Sequence, residues 1–255
     1  MDGISFIVRA RNEQETIEAS LRSLKDLTIP HEIIVILHLC TDRSREIVES
    51  LKEELPIQII EYNVPISRAG YETLATDATS EHSIPHYYNW CFSHANHVWK
   101  FKWDADFIAS PELVDYLNSK TWNQTAPARV FFTAKNHEMS NSEGYLFTGH
   151  NGFKKYYFWE FVDGSFEQEN HTNIVIQHAS KLSNMKKYWT DAHWFSDDES
   201  DEAKTIRDRY KSITDICGSE LIGAARASNF EGDEQFRSVL RNEAALKEVG
   251  INALI

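Results

Sequence analysis

A chain of 255 residues with 42% hydrophobic and 12% aromatic side chains has the material for one large α/β domain with an appendage, which excludes a disordered polypeptide. Its formal net charge of −13 excludes nonspecific nucleic-acid binding, so an anionic ligand needs a local basic site or a metal. Cys40, Cys91 and Cys217 have no metal-type spacing and argue for a reducing compartment. With no basic-then-apolar start at Met1-Asp2-Gly3-Ile4 and no long apolar run, a cytoplasmic protein with at most peripheral membrane contact is expected.

Ile4 to Val8 is a β-branched and aromatic run that reads as a buried first strand. Asn12 is expected to cap the helix that follows, with Ile17, Leu21 and Leu24 at helical spacing and Glu13 and Glu15 in its first turn. Ile33 to Leu37 is continuously apolar, as a parallel strand covered on both faces requires. The loop Cys40-Thr41-Asp42-Arg43-Ser44 leads to a second helix bearing Ile47, Val48, Leu51 and Leu55, and Ile57, Ile59 and Ile60 make a third strand. Strand, helix, strand, helix, strand predicts a doubly wound parallel half-sheet. Residues 63 to 85 show no clear periodicity but hold Arg68, Gly70 and Tyr71, which points to a functional connection.

A helix with Tyr87, Trp90, Cys91 and Phe92 comes next, and then Trp99, Phe101 and Trp103 alternate with Lys100 and Lys102 as a fourth strand. That strand delivers Asp104 and Asp106 at its carboxyl end, where ligands of open α/β sheets bind. With 15 Asp in the chain, chance alone supplies about one Asp-x-Asp, so the spacing means little without its context. The context is a strand end followed by Ser110-Pro111-Glu112, a helix start with Ser as N-cap and Pro at the first helical position. Residues two apart in an extended chain face one side, so the two carboxylates can share a Mn²⁺ or Mg²⁺ ion, which in turn holds a diphosphate.

Val130 to Thr133 predicts a fifth strand, residues 134 to 152 a polar, Gly-containing loop, and Ile174 to Ile176 a further strand ending at Gln177-His178. His178 is a candidate third metal ligand, because a neutral imidazole suits Mn²⁺, and simple hydrogen bonding is the competing role. From about residue 186 an acidic run at 197 to 202 and apolar residues at helical spacing over 233 to 248 predict a helical appendage.

Phe6-Ile7-Val8-Arg9-Ala10-Arg11-Asn12-Glu13, the loop at 40 to 44 and Asp104-Ala105-Asp106 together resemble glycosyltransferase family 2, whose fold is GT-A. The resemblance covers roughly residues 4 to 178. Its later part, Tyr145 to Phe147, Tyr157 to Glu160 and Ile176 to His178, is similar to the lipopolysaccharide-core β-glucosyltransferase branch. It implies a GT-A (Rossmann-like) mixed, mainly parallel α/β sheet flanked by helices over residues 1 to 185; residues 186 to 255, which the resemblance does not cover, are expected from their own composition and spacing to form a C-terminal helical extension packed on it. The implied activity is a metal-dependent, inverting, hexosyltransferase-type transfer from a nucleotide diphosphate sugar, a UDP-sugar by preference, to a hydroxyl of a glycan or glycolipid. A non-catalytic nucleotide-sugar or glycan-binding protein on the same fold is the alternative.

Site residues follow from the same resemblance. Glu160 is the base, with Asp163, Glu143 and Asp191 as rivals for that role. Arg9, Arg11, Asn12, Glu13, Asp42, Arg68, Asp104 and Ala105 hold the nucleotide sugar, and Asp104, Asp106 and His178 hold the metal. Arg9 and Arg11 suit bidentate contact with phosphate but equally suit pairing with acidic neighbours, and Asp42 suits helix capping as well as nucleotide recognition.

Overall fold

The continuous apolar runs become the interior of a sheet. Every residue of β1 (Ile4–Ala10) except Arg9 is buried, and β2 (His31–His38) is buried from Ile33 to His38. Such strands are covered on both faces, by helices that include α1 (Ile17–Arg22) and α2 (Ser44–Ser50). β3 (Ile57–Tyr62), α3 (Tyr71–Ala75), α4 (Ile84–Ser93) and β4 (Trp99–Asp104) follow. Next come β5 (Phe107–Ala109), α5 (Pro111–Asn118), β6 (Ala128–Lys135), β7 (Ser140–Thr148), β8 (Phe153–Tyr156), β9 (Trp159–Val162), β10 (Glu167–His178) and α6 (Asp201–Cys217). The computed structural model describes residues 2–67, 71–123, 126–135, 140–156, 159–179, 200–217 and 247.

Among the described residues, eight strands form one sheet in the order β3-β2-β1-β4-β7-β6-β10-β5. β1, β2, β3 and β4 pair in parallel, β6 and β10 run the same way, and β7 and β5 oppose them. Successive strands spread from β1 toward β3, and the chain then returns to the other side of β1 as β4. The strand order therefore reverses between β1 and β4, opening a crevice at their carboxyl ends. Below the crevice, Phe6, Phe101 and Phe132 stack, and the fully buried Trp103 meets Phe6, Phe101 and Phe107 edge-on while its indole donates to Ser20 Oγ at 3.0 Å.

The described chain divides into two compact units, one drawn from Met1–Asn63, Trp90–Asn151 and Gly164–Asn184, the other from Val64–Asn89, Gly152–Asp163 and Met185–Ile255. The sheet belongs to the first. In the second, β8 and β9 form a hairpin and Asn89 exchanges two hydrogen bonds with the backbone of Phe153, at 2.9 and 2.6 Å. Gly152 has φ +107°, and a Cβ there would lie 2.8 Å from Asn89 Oδ1, so both conformation and contact require glycine. Arg209 on α6 reaches Asp77 at 3.1 Å. The helix expected over 233 to 248 lies, apart from Lys247, outside the described residues. No described helix is long and apolar enough to cross a membrane.

Four local expectations are corrected. Residues 134 to 152 are not a loop throughout: β7 occupies Ser140 to Thr148 between β4 and β6. Its polar first half has weak strand propensity, while Tyr145, Leu146 and Phe147 are buried by the neighbours they meet only in the folded sheet. The aspartates do not lead straight into a helix, because the three-residue β5, too short to show a pattern, pairs with β10 first. Residues 63 to 85 contain the five-residue α3. Asn12 does not cap α1, which starts at Ile17 with Glu18 in its first turn; Asn12 adopts the left-handed conformation at φ 57° instead. The start of α5 is as expected, with Ser110 Oγ accepting from Leu113 N at 3.2 Å and Pro111 behind it.

Candidate active site

Two loops at the carboxyl ends of β1 and β2 are joined by side chains. Asn12 Oδ1 accepts from Thr41 N at 2.8 Å and Asp42 N at 3.3 Å. The Asp42 carboxylate accepts from Gln14 N at 3.0 Å and Ser44 N at 2.9 Å, and the buried Ser44 hydroxyl accepts from Glu13 N at 2.7 Å. These bonds satisfy backbone donors that loops would otherwise leave to water, at about 0.5–1.5 kcal/mol each. Leu39, just before the second loop, holds φ 48°, a strained position for a side chain branched beyond Cβ. The Cys40 thiol donates to Ala10 O, and burial pushes its pKa up, so it stays protonated. The Asp42 carboxylate thus ties the first loop to the first residue of α2, whose N-cap position is Arg43.

The crevice between β1 and β4 brings charged groups together. Arg9 and Asp104 are register partners across the two strands, and their side chains form an ion pair. One residue beyond Ala105, Asp106 stands with its side chain only 14% exposed, and its backbone carbonyl accepts from Ala179 N at 2.8 Å, clamping the turn to the end of β10. That clamp places His178 Nδ1 3.3 Å from Asp106 Oδ2, packed on the Phe107 ring. The pair lacks the alignment of a hydrogen bond, and the buried Nδ1 has no other acceptor or donor among the described residues. Burial pushes the His178 pKa down against the raising fields of Asp104 and Glu13, so the imidazole is neutral at neutral pH and carries a lone pair.

An orphaned imidazole nitrogen facing a carboxylate oxygen is a donor set that suits a divalent cation such as Mn²⁺. Asp106 and His178 fit that role as they stand, and Asp104 beside them is engaged by Arg9. Among the described residues no group of three or more ligating side chains is preassembled.

Of the residues singled out in the sequence, Arg9, Glu13, Asp104, Asp106 and His178 converge, and Asn12 and Asp42 build the loop wall beside them. Arg11 and Ala105 lie on the same two strand ends. Arg68 and Asp191 lie outside the described residues, as do the side chains of Glu160 and Glu143. The backbone of Glu160 sits in β9 opposite Lys155, and the rival Asp163 is paired with Lys154 at 3.0 Å. Ser44 was not singled out in the sequence; its position one turn into the capped loop is the only signal that would have marked it.

No family model matches the chain, and no curated protein matches it. Among solved structures, the mannosyltransferase PcManGT from Pyrobaculum calidifontis, in complex with GDP-Man and Mn²⁺, is similar over 98% of this chain and 86% of its own, at 14% identity and a TM-score of 0.50. S. aureus TarS 1–349 is similar over 53% of this chain at 17% identity and a TM-score of 0.41, and its complex with UDP-GlcNAc at 16% and 0.40. The chain spans 36% of the length of those TarS chains. The likeness to the mannosyltransferase shows a shared fold, and the fold class is GT-A, Rossmann-like.

Proposed function

We propose that this chain is a metal-dependent, inverting glycosyltransferase of the family 2, hexosyl-transferring type, acting on a nucleotide diphosphate sugar and a glycan hydroxyl. The observation that carries the reading is the convergence of Arg9, Asp104, Asp106 and His178 at the carboxyl ends of β1, β4 and β10, where the strand order reverses.

Asp104, Asp106 and His178 would hold Mn²⁺ or Mg²⁺, and the ion when bound supplies positive charge to the departing diphosphate. Arg9 and Arg11 meet phosphate oxygens through charge-assisted hydrogen bonds. Asn12, Glu13, Asp42, Arg68 and Ala105 surround the nucleotide and sugar. Glu160 takes the acceptor hydroxyl proton as that oxygen bonds to the anomeric carbon. The bond from this carbon to the diphosphate oxygen breaks, and its electron pair leaves with the nucleoside diphosphate. Such base catalysis is worth about 10² to 10⁴ in rate. A UDP-sugar is the proposed donor. The GDP-Man bound by the mannosyltransferase of the same fold makes GDP-sugars the second arm of any donor panel.

The test is incubation of the chain with Mn²⁺ and a panel of UDP- and GDP-sugars, with release of nucleoside diphosphate as the readout. Release that stops in excess chelator is the expected result. Donor binding with neither hydrolysis nor transfer across a broad acceptor panel overturns catalysis and leaves a nucleotide-sugar-binding protein.

A further inference from the structure

One carboxylate of the candidate metal site already has a cation. Arg9 and Asp104 face each other across β1 and β4, whose parallel pairing runs in register from Ile4 with Trp99 to this last pair. The two backbones therefore fix where these side chains stand, and they form an ion pair. Two residues on, Asp106 meets His178 at the end of β10. Asp104 lies near enough for its charge to act on the His178 ring, although burial is the larger effect and lowers that pKa. Among the described residues no group of three or more ligating side chains is preassembled. Asp106 and His178 offer two donors, and Asp104, the carboxylate that would make three, accepts from Arg9 instead.

Burial decides what frees Asp104. The Arg9 side chain is 13% exposed and that of Asp104 36%. In exposed pairs such as Arg43–Glu46, water takes over when a partner leaves, so they open at little cost. A guanidinium at 13% exposure has little water to turn to, and taking away the partner of a buried charge is strongly destabilising. Nor can Arg9 follow its partner outward. β1 is paired with β2 on one side and β4 on the other, and every other residue of it is buried. A cation that took Asp104 by itself would strand Arg9, so a second anion has to reach Arg9 as Asp104 leaves. A diphosphate is such an anion: the planar guanidinium fork matches phosphate oxygens, and the same diphosphate is what a bound Mn²⁺ or Mg²⁺ holds.

Resting on the transfer reading of this site, we propose that Arg9 is an exchangeable counter-ion: it holds Asp104 until a diphosphate arrives, then pairs with the phosphate oxygens and yields Asp104 to the metal. Metal affinity and nucleotide affinity are then linked through one side chain, and the linkage is reciprocal. A divalent cation by itself meets only Asp106 and His178, so the site loads fully only when the donor is present. Replacing Arg9 by a neutral side chain removes the competitor for Asp104, so the cation binds more tightly without nucleotide. The same replacement deprives the diphosphate of a charge-assisted contact.

The test uses the full chain and needs no turnover. Mn²⁺ binding without nucleotide is followed by electron paramagnetic resonance of the free ion in the parent, Arg9→Gln, Asp104→Asn and the double variant. Expected is a gain of about fivefold or more in Mn²⁺ affinity from Arg9→Gln. No gain is expected from the same replacement in the Asp104→Asn background, whereas a general loss of positive charge would act in both. A second measurement does not depend on how the neutral variant folds. In the parent labelled with ¹⁵N, the Arg9 guanidinium signal, identified by its loss in Arg9→Lys, stays in place with Mg²⁺ alone and shifts when UDP joins Mg²⁺. Unchanged Mn²⁺ affinity in Arg9→Gln, an equal gain in the Asp104→Asn background, an Arg9 signal that shifts with Mg²⁺ alone, or one that ignores bound Mg²⁺ and UDP overturns the exchange and leaves the metal site standing. A parent that binds neither Mn²⁺ nor UDP with Mg²⁺ overturns the transfer reading and the exchange together.

Discussion

Replacing Asn12 tests whether the two loops beside the candidate site are set by one left-handed residue. Asn12 holds φ 57° and its amide oxygen accepts from Thr41 N and Asp42 N. In Asn12→Ala, a β-carbon without a local hydrogen bond costs about 1–2 kcal/mol in that conformation. The lost acceptor costs about 0.5–1 kcal/mol more, since Thr41 is exposed and water replaces part of it. The sum is about 2 kcal/mol. Asn12→Gly loses the same acceptor but adopts φ 57° without strain, so it should recover about 1 kcal/mol relative to the alanine variant even after its larger unfolded-state entropy. Urea unfolding of the three proteins measures both differences. A glycine variant no more stable than the alanine variant refutes the conformational argument, and an alanine variant as stable as the parent refutes the loop-joining role.

Trp103→Phe should cost about 2–4 kcal/mol in the same assay, because it leaves the buried Ser20 hydroxyl without its donor and opens space among Phe6, Phe101 and Phe107; a cost under about 1 kcal/mol contradicts that packing. Burial, reinforced by the Lys100 charge, pushes the His150 pKa from 6.5 down to about 4. The unfolded chain then takes up a proton that the folded chain refuses, so stability is lost as pH falls from about 6.5 toward 4, by about 1–3 kcal/mol after allowance for partial solvent access. His150→Gln should flatten that part of the stability profile, and a slope identical to the parent's refutes the assignment.

Much of this was legible in the chain because burial on both faces leaves a continuous signature. Ile33 to Leu37 and Ile4 to Val8 show it, and alternation at Trp99 to Trp103 located the strand that ends at Asp104. Ser110-Pro111 announced α5 by local chemistry alone. β7 was hidden because Ser140 to Gly144 say nothing about the sheet centre into which β4 and β6 draw them. Asn12 suits a cap and a left-handed turn equally in sequence, and only its partners 29 and 30 residues away distinguish the two. The Arg9–Asp104 pair is likewise a product of register between strands far apart in sequence. The meeting of Asp106 with His178 depends on β5, which three residues are too few to announce.

The most direct measurement is calorimetric binding of UDP and GDP to the chain and to Asp106→Asn, each with Mn²⁺ and with excess chelator. Metal and diphosphate sharing one site at the ends of β1, β4 and β10 predicts nucleotide binding that needs Mn²⁺ and weakens by roughly tenfold or more in the variant, about 1.4 kcal/mol or greater, at an unchanged melting temperature. Nucleotide binding of equal strength in chelator, or in Asp106→Asn with Mn²⁺, would contradict it.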